Sequence, residues 1–202
     1  MPSSRADAPL AGGDPIARFT VWFREAGESG IALAEAMTLA TATAAGAPSA
    51  RTVLLKGVDE RGFVFYTNYE SRKGRELAEN PRAALVFHWS ALGRQVRVEG
   101  RVARVSAAES DSYFVTRPRE SRLAAWASRQ SEAVESRQAI EARFSELEAR
   151  FRDREVPRPS FWGGYRLLPE TIEFWQHGEN RLHDRFRYRR SGRAWTVDRL
   201  AP

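Results

Sequence analysis

The sequence contains no cysteine, which removes thiol nucleophiles, disulfides, zinc knuckles and thiolate-bound iron–sulfur clusters together. Its three histidines, His88, His177 and His183, show no HExxH or comparable ligand spacing, so no metal site is expected. Long apolar runs are also missing. The longest stretch without a charged residue, Ala36 to Ala50, is 15 residues rich in Ala and Thr, too short and too polar to cross a bilayer. No apolar segment follows a basic one at the N-terminus, so no secretory signal is read and a cytoplasmic location is expected. Neither GxGxxG nor GxxxxGK[ST] occurs, and any nucleotide must be held without a Rossmann fingerprint or a P-loop. Lysine is almost absent: of 32 Lys and Arg residues, only Lys56 and Lys73 are Lys. A compact, flexible ammonium suits a tight phosphate pocket better than a wide guanidinium fork, although chance survival of two surface lysines is the plainer alternative.

What is present is globular. A hydrophobic share of 42% and a charged share of 29% over 202 residues allow a substantial core without cross-links. The net charge of +6 admits nucleic acid, acidic membrane surfaces or small phosphorylated ligands as partners. Residues 1–13 read as a loose tail ending at an Asp14 N-cap and Pro15, and Ile16, Phe19 and Phe23 give the following helix an apolar face toward a stop at Gly27. The period then changes to two, with strands predicted at Thr38–Thr43, Thr52–Val58, Phe63–Thr67, Ala83–Trp89 and Gln95–Val105. A short helix from Ser71 to Asn80 interrupts them. Ser106 and Glu109 form a capping box before a helix carrying Tyr113 and Phe114 toward Pro118, and Ile140, Phe144, Leu147 and Phe151 mark an amphipathic helix. Strands return at Phe161–Leu168, Thr171–Gln176, Leu182–Tyr188 and Ala194–Leu200. Strands at both ends with helices between them indicate an α+β fold.

Several groupings carry chemistry. Ser71-Arg72-Lys73 at a helix start combines a hydroxyl, two cations and free backbone N–H groups, the makings of a phosphate cradle, though a capped helix with solvated charges is commoner. Arg51 and Lys56 flank the apolar Val53-Leu54-Leu55, where an unpaired charge is costly and an anionic partner would relieve it. Arg181, His183 and Arg185 alternate along a predicted strand and so share a face, with Leu182 and Phe186 on the other; a basic solvent-facing strand is the bland alternative. Tyr113, Arg117 and Ser121 recur every four residues, with Pro118 expected to break the helix between them.

Together, Arg51-Thr-Val-Leu-Leu-Lys56, Phe65-Tyr66-Thr67-Asn68, Ser71-Arg72-Lys73, Arg94-Gln95-Val96, Pro159-Ser160-Phe161-Trp162-Gly163-Gly164, Glu173-Phe174-Trp175-Gln176 and Arg181-Leu182-His183-Asp184-Arg185 closely resemble the pyridoxamine 5′-phosphate oxidase family, in the right order from about Asp14 to Pro202. The resemblance implies one domain over 14–202, a split β-barrel with flanking helices that pairs as a homodimer and binds FMN at the subunit interface. It implies oxidation of pyridoxamine or pyridoxine 5′-phosphate to pyridoxal 5′-phosphate, with molecular oxygen as acceptor and hydrogen peroxide as product. Carried over residue by residue, the FMN contacts are Arg51, Thr52, Val53, Leu54, Leu55, Lys56, Tyr66, Thr67, Arg72, Lys73, Gln95, Gln130, Ser131, Trp175 and Arg185. The substrate contacts are Lys56, Tyr113, Arg117, Ser121, Arg181, Leu182 and His183, with Arg181 and His183 orienting the ring during catalysis. The chain departs from the family at His177, where glycine is usual, and in a short N-terminal segment offering only Arg5 to a lid. Two other readings are a split-barrel flavin oxidase acting on another ring, of the phenazine type, and a basic module binding nucleic acid without catalysis; the resemblance argues against nucleic acid.

Overall fold

The computed structural model describes residues 13–202; except for Gly13, the predicted tail lies outside the described residues. Helix α1 (Pro15–Glu28) starts as its sequence requires, with the Asp14 carboxylate accepting from the backbone N–H groups of Ile16 and Ala17. Its apolar face plugs the curl of a nine-stranded antiparallel sheet. Phe19 meets Phe63 and Phe87 at ring-centroid distances of 4.8 Å, and Trp22 stands edge-on to Phe174 at 5.2 Å. Burying each such side chain contributes roughly 1.5–3 kcal/mol, so the aromatic plug is a principal reason the sheet closes around α1.

The strands are β1 (Ala36–Ala42), β2 (Pro48–Leu54), β3 (Gly57–Asp59), β4 (Gly62–Asn68), β5 (Arg82–Trp89), β6 (Arg94–Arg104), β7 (Trp162–Gln176), β8 (Asp184–Ser191) and β9 (Ala194–Arg199). Their path runs β2-β1-β5-β6-β7-β4-β3, with β8 and β9 added beside β7. The single strand predicted over Thr52–Val58 is broken at Leu55-Lys56, because the chain changes partner there: Leu55 N–H donates to Glu35 O and Lys56 N–H to Val64 O. Conversely, the strands predicted at Phe161–Leu168 and Thr171–Gln176 are one strand, β7, which passes its proline at a register shift opposite Glu99 and Gly100. The first half of β7 pairs with β4 and the second with β8, so one strand joins the barrel to the C-terminal hairpin.

Helices α2 (Arg72–Glu79), α3 (Ala107–Thr116), α4 (Arg119–Ala127) and α5 (Arg137–Arg150) flank the sheet. Ser106 caps α3, but the capping box is only half formed: the Glu109 carboxylate accepts from Arg166 and does not reach back to the cap. Helix α5 packs Phe144 and Leu147 on a second cluster made by Leu123, Phe151 and Val156, while Ile140 stays exposed. The α+β fold expected from the sequence is the one observed.

Candidate active site

A cavity of about 930 Å³ opens between β2, β4, the start of α2 and the α3–α4 pair. One wall is a cation cradle. Ser71 caps α2, its Oγ accepting from Gly74 N–H at 3.3 Å and donating to Asn68 O at 2.7 Å. A Cβ on Gly74 would lie 2.1 Å from Tyr69 O, so only glycine lets the helix begin this close to the end of β4. The next-door Lys73 is 6% exposed, and its Nζ donates to Gln130 Oε1 at 2.9 Å, Thr67 Oγ1 at 3.2 Å and Ser71 Oγ at 3.3 Å. Among the described residues no carboxylate lies within ion-pair distance of it. Burial, with a smaller push from the Arg51 guanidinium and an opposing pull from Glu76, brings Lys73 down to about 8.

Glu76, one turn along α2, organises the arginines. Its carboxylate accepts from Thr41, from Ser49 at 2.6 Å and from Arg72 Nε at 2.9 Å, with Arg51 at 3.5 Å. Burial pushes Glu76 up, but the hydrogen bonds from Ser49, Thr41 and Arg72 together outweigh it and hold the carboxyl at about 2. Sequence reasoning missed this acid; its only signal was the spacing of four residues from Arg72.

The opposite wall is aromatic and cationic. Tyr66 and Tyr113 stack at 3.9 Å with Trp162 beside them, and the Arg117 guanidinium carbon sits 4.6 Å over the Trp162 ring. Arg117 Nη1 is buried without a hydrogen-bond partner. Burial also raises Tyr66 to about 12, helped by Glu109 and Tyr113, and lowers the Arg117 guanidinium. Pro118 does separate α3 from α4, yet Tyr113, Arg117 and Ser121 still line one cavity across the break. A buried lysine with neutral partners only and an orphaned guanidinium donor are both what an anion would complete, so this donor set fits phosphate groups.

The cavity brings together Arg51, Thr52, Val53, Leu54, Lys56, Tyr66, Thr67, Arg72, Lys73, Tyr113, Arg117, Ser121, Gln130 and Ser131. Leu55 does not line it, because the switch of strand partner turns its side chain into the core at 4% exposure. Gln95, Trp175, Arg181, Leu182, His183 and Arg185 do not line it either. They form a second group, in which Gln95 pairs with Trp175 across β6–β7 and Trp175 with Arg185 across β7–β8. Arg185 binds the buried Glu173 through Nε at 2.9 Å and Nη2 at 2.8 Å, and donates to Ala201 O at 3.0 Å. The predicted shared strand face of Arg181, His183 and Arg185 is not formed. Asn180 and Arg181 adopt positive φ in a short turn, and β8 begins only at Asp184.

Fold and cavity define a split β-barrel protein with a cation-lined pocket. The sequence profile described as Pyridoxamine 5'-phosphate oxidase matches residues 23–151, and that described as Pyridoxine 5'-phosphate oxidase C-terminal dimerisation region matches residues 162–202. A pyridoxine/pyridoxamine 5'-phosphate oxidase of Rubrobacter xylanophilus is 64% identical over 189 residues, covering 94% of this chain and 87% of that protein. One from a Cyanothece strain is 58% identical, covering 94% and 89%. The crystal structure of PhzG from Burkholderia lata, in complex with tetrahydrophenazine-1-carboxylic acid, is similar with a TM-score of 0.90 at 34% identity, covering 95% of this chain and 94% of that one. The chain belongs to the pyridoxamine 5′-phosphate oxidase family. No described helix is long and apolar enough to cross a membrane.

Proposed function

We propose that this protein is an FMN-dependent oxidase that converts pyridoxamine 5′-phosphate and pyridoxine 5′-phosphate to pyridoxal 5′-phosphate, using molecular oxygen and releasing hydrogen peroxide. The observation that carries the reading is the pairing, in one cavity, of the buried Lys73 without a carboxylate and the orphaned Arg117 Nη1. These are two separate anion positions, as a phosphorylated cofactor and a phosphorylated substrate require. Arg51, Arg72 and Lys73 would hold the FMN phosphate, with Gln130, Thr67 and Ser71 fixing the Lys73 ammonium. Lys56, Tyr113, Arg117 and Ser121 would hold the substrate phosphate. FMN, when bound, supplies the hydride acceptor for the substrate's C4′ carbon and passes the electrons to oxygen.

The second group completes the site from a partner copy in a homodimer. In this arrangement Gln95, Trp175 and Arg185 meet the flavin, and Arg181, Leu182 and His183 meet the substrate ring. Two findings support it: the group lies outside the cavity of its own chain, and most of it falls in residues 162–202, which match the family's dimerisation region. Arg181 and His183 would fix the ring's orientation, where a small displacement costs about two orders of magnitude in rate.

The likeness to the phenazine-bound protein supports a second reading, oxidation of a tricyclic ring on the same barrel. The phosphate set at Arg117 favours the vitamin B6 substrates. Purified protein is expected to be yellow and to release FMN on denaturation. A colourless protein that takes up no added FMN would refute the proposal.

A further inference from the structure

The loop from residue 177 to 183 is tied at every turn. His177 N–H donates to Gly93 O at 2.7 Å, Leu182 N–H to Glu179 O at 2.9 Å and His183 N–H to Arg181 O at 3.0 Å. Asn180 and Arg181 take φ of 53° and 64°, which folds the chain back on itself. Gly178 then lies so close to the returning chain that a Cβ there would sit 2.1 Å from Leu182 O. With that approach, the Gly178 backbone N–H donates to His183 Nδ1 at 3.2 Å. The imidazole is flanked by the Trp175 ring at 4.6 Å and the His177 ring at 5.4 Å. Among the described residues, His183 Nε2 has no hydrogen-bond partner.

From this we infer that the loop fixes His183 as the tautomer protonated at Nε2, so that it meets its ligand as a hydrogen-bond donor and not as a base. A neutral imidazole has one N–H and one lone-pair nitrogen, and the nitrogen that accepts cannot carry the proton. Nδ1 accepts from Gly178, so the proton is on Nε2, the nitrogen left free. Gly178 is thus a positioning residue: it sets which edge of the imidazole is acidic, and its lack of a side chain is what lets the backbone reach. Only the identity of the ligand rests on the function proposed above. The tautomer rests on the loop alone. An acceptor atom on the substrate, such as a ring oxygen substituent, is the chemistry this edge fits, and proton abstraction by His183 is assigned no part in the reaction.

The test is a long-range proton–nitrogen correlation spectrum of the full-length holoprotein with nitrogen-15-labelled histidine, at a pH where the ring is neutral. The expected result is a pyrrole-type signal for Nε2 of His183 and a pyridine-type signal for Nδ1. A pyrrole-type Nδ1 would overturn the inference. Kinetics give an independent arm. Glutamine places its amide NH₂ near the Nε2 position and asparagine near the Nδ1 position, so His183→Gln should keep a kcat/KM at least about tenfold above that of His183→Asn. Equal values, or the reverse order, would overturn the assignment of Nε2 as the donor that meets the ligand, while the tautomer itself is judged by the spectrum. FMN uptake by the unmodified protein is measured alongside. Its absence would refute the proposed function and leave the tautomer to be judged by the spectrum.

Discussion

Lys73 and Gln130 stand 57 positions apart in sequence and meet in one hydrogen bond of 2.9 Å, joining the start of α2 to the segment after α4 in the lining of the cavity. The bond leaves the ammonium buried among neutral acceptors, and its acidity is the most directly measurable consequence.

An anion bound at the cradle favours protonated Lys73. FMN affinity should therefore be full below the free protein's value of about 8 and fall as pH rises above it. Lys73→Met should bind FMN at least about tenfold more weakly at neutral pH and lose this alkaline decline. Flavin fluorescence titrations across pH test it; an unchanged profile in the variant would remove Lys73 from the cradle.

Under the proposed function, Arg117 is a charge held for the substrate phosphate at the expense of the empty protein, its Nη1 being buried without a hydrogen-bond partner. An unpaired buried donor costs about 1–3 kcal/mol, so Arg117→Met should leave the melting temperature of the FMN-free protein unchanged or higher. The same variant should retain FMN while its kcat/KM for pyridoxine 5′-phosphate falls at least about tenfold. Wild-type kinetics in the variant would place the substrate phosphate elsewhere.

Much of the frame was legible in the sequence because the signals are local. Asp14-Pro15 and Ser71 start helices where a side chain can reach the free N–H groups, and the period of two marked the strands. What escaped was decided by distant partners. The break at Leu55-Lys56 comes from a change of strand partner, and β7 runs through its proline because β6 accommodates it with a register shift. The turn before β8 uses positive φ at Asn180 and Arg181, neither of which is glycine, so alternation extended the strand too far. The residues of α2, α3 and α4 that line the cavity were legible as a group, but Glu76 was not, since a carboxylate beside arginines at helical spacing reads as an ordinary surface pair.

Arg181, His183 and Arg185 should separate by role. Arg181→Ala and His183→Ala are expected to bind FMN normally and to lose at least about tenfold in kcat/KM, whereas Arg185→Ala should weaken FMN binding, its guanidinium being held by Glu173. Three nearly silent variants would return these residues to the role of a basic surface.

Because Gln95, Trp175, Arg181, His183 and Arg185 do not line the cavity of their own chain, the proposed shared site requires the holoprotein to be an obligate dimer. Sedimentation equilibrium at low micromolar concentration measures it. A monomer that still holds stoichiometric FMN would contradict the shared site.

The most direct test of the account is anaerobic addition of pyridoxamine 5′-phosphate to the purified holoprotein, followed by absorbance. The account predicts that the flavin band bleaches with this phosphorylated substrate, returns on admitting oxygen with release of hydrogen peroxide, and bleaches far more slowly with unphosphorylated pyridoxamine or a phenazine-type ring. A band that is unmoved by the phosphorylated substrate, or that bleaches preferentially with the tricyclic ring, would contradict it.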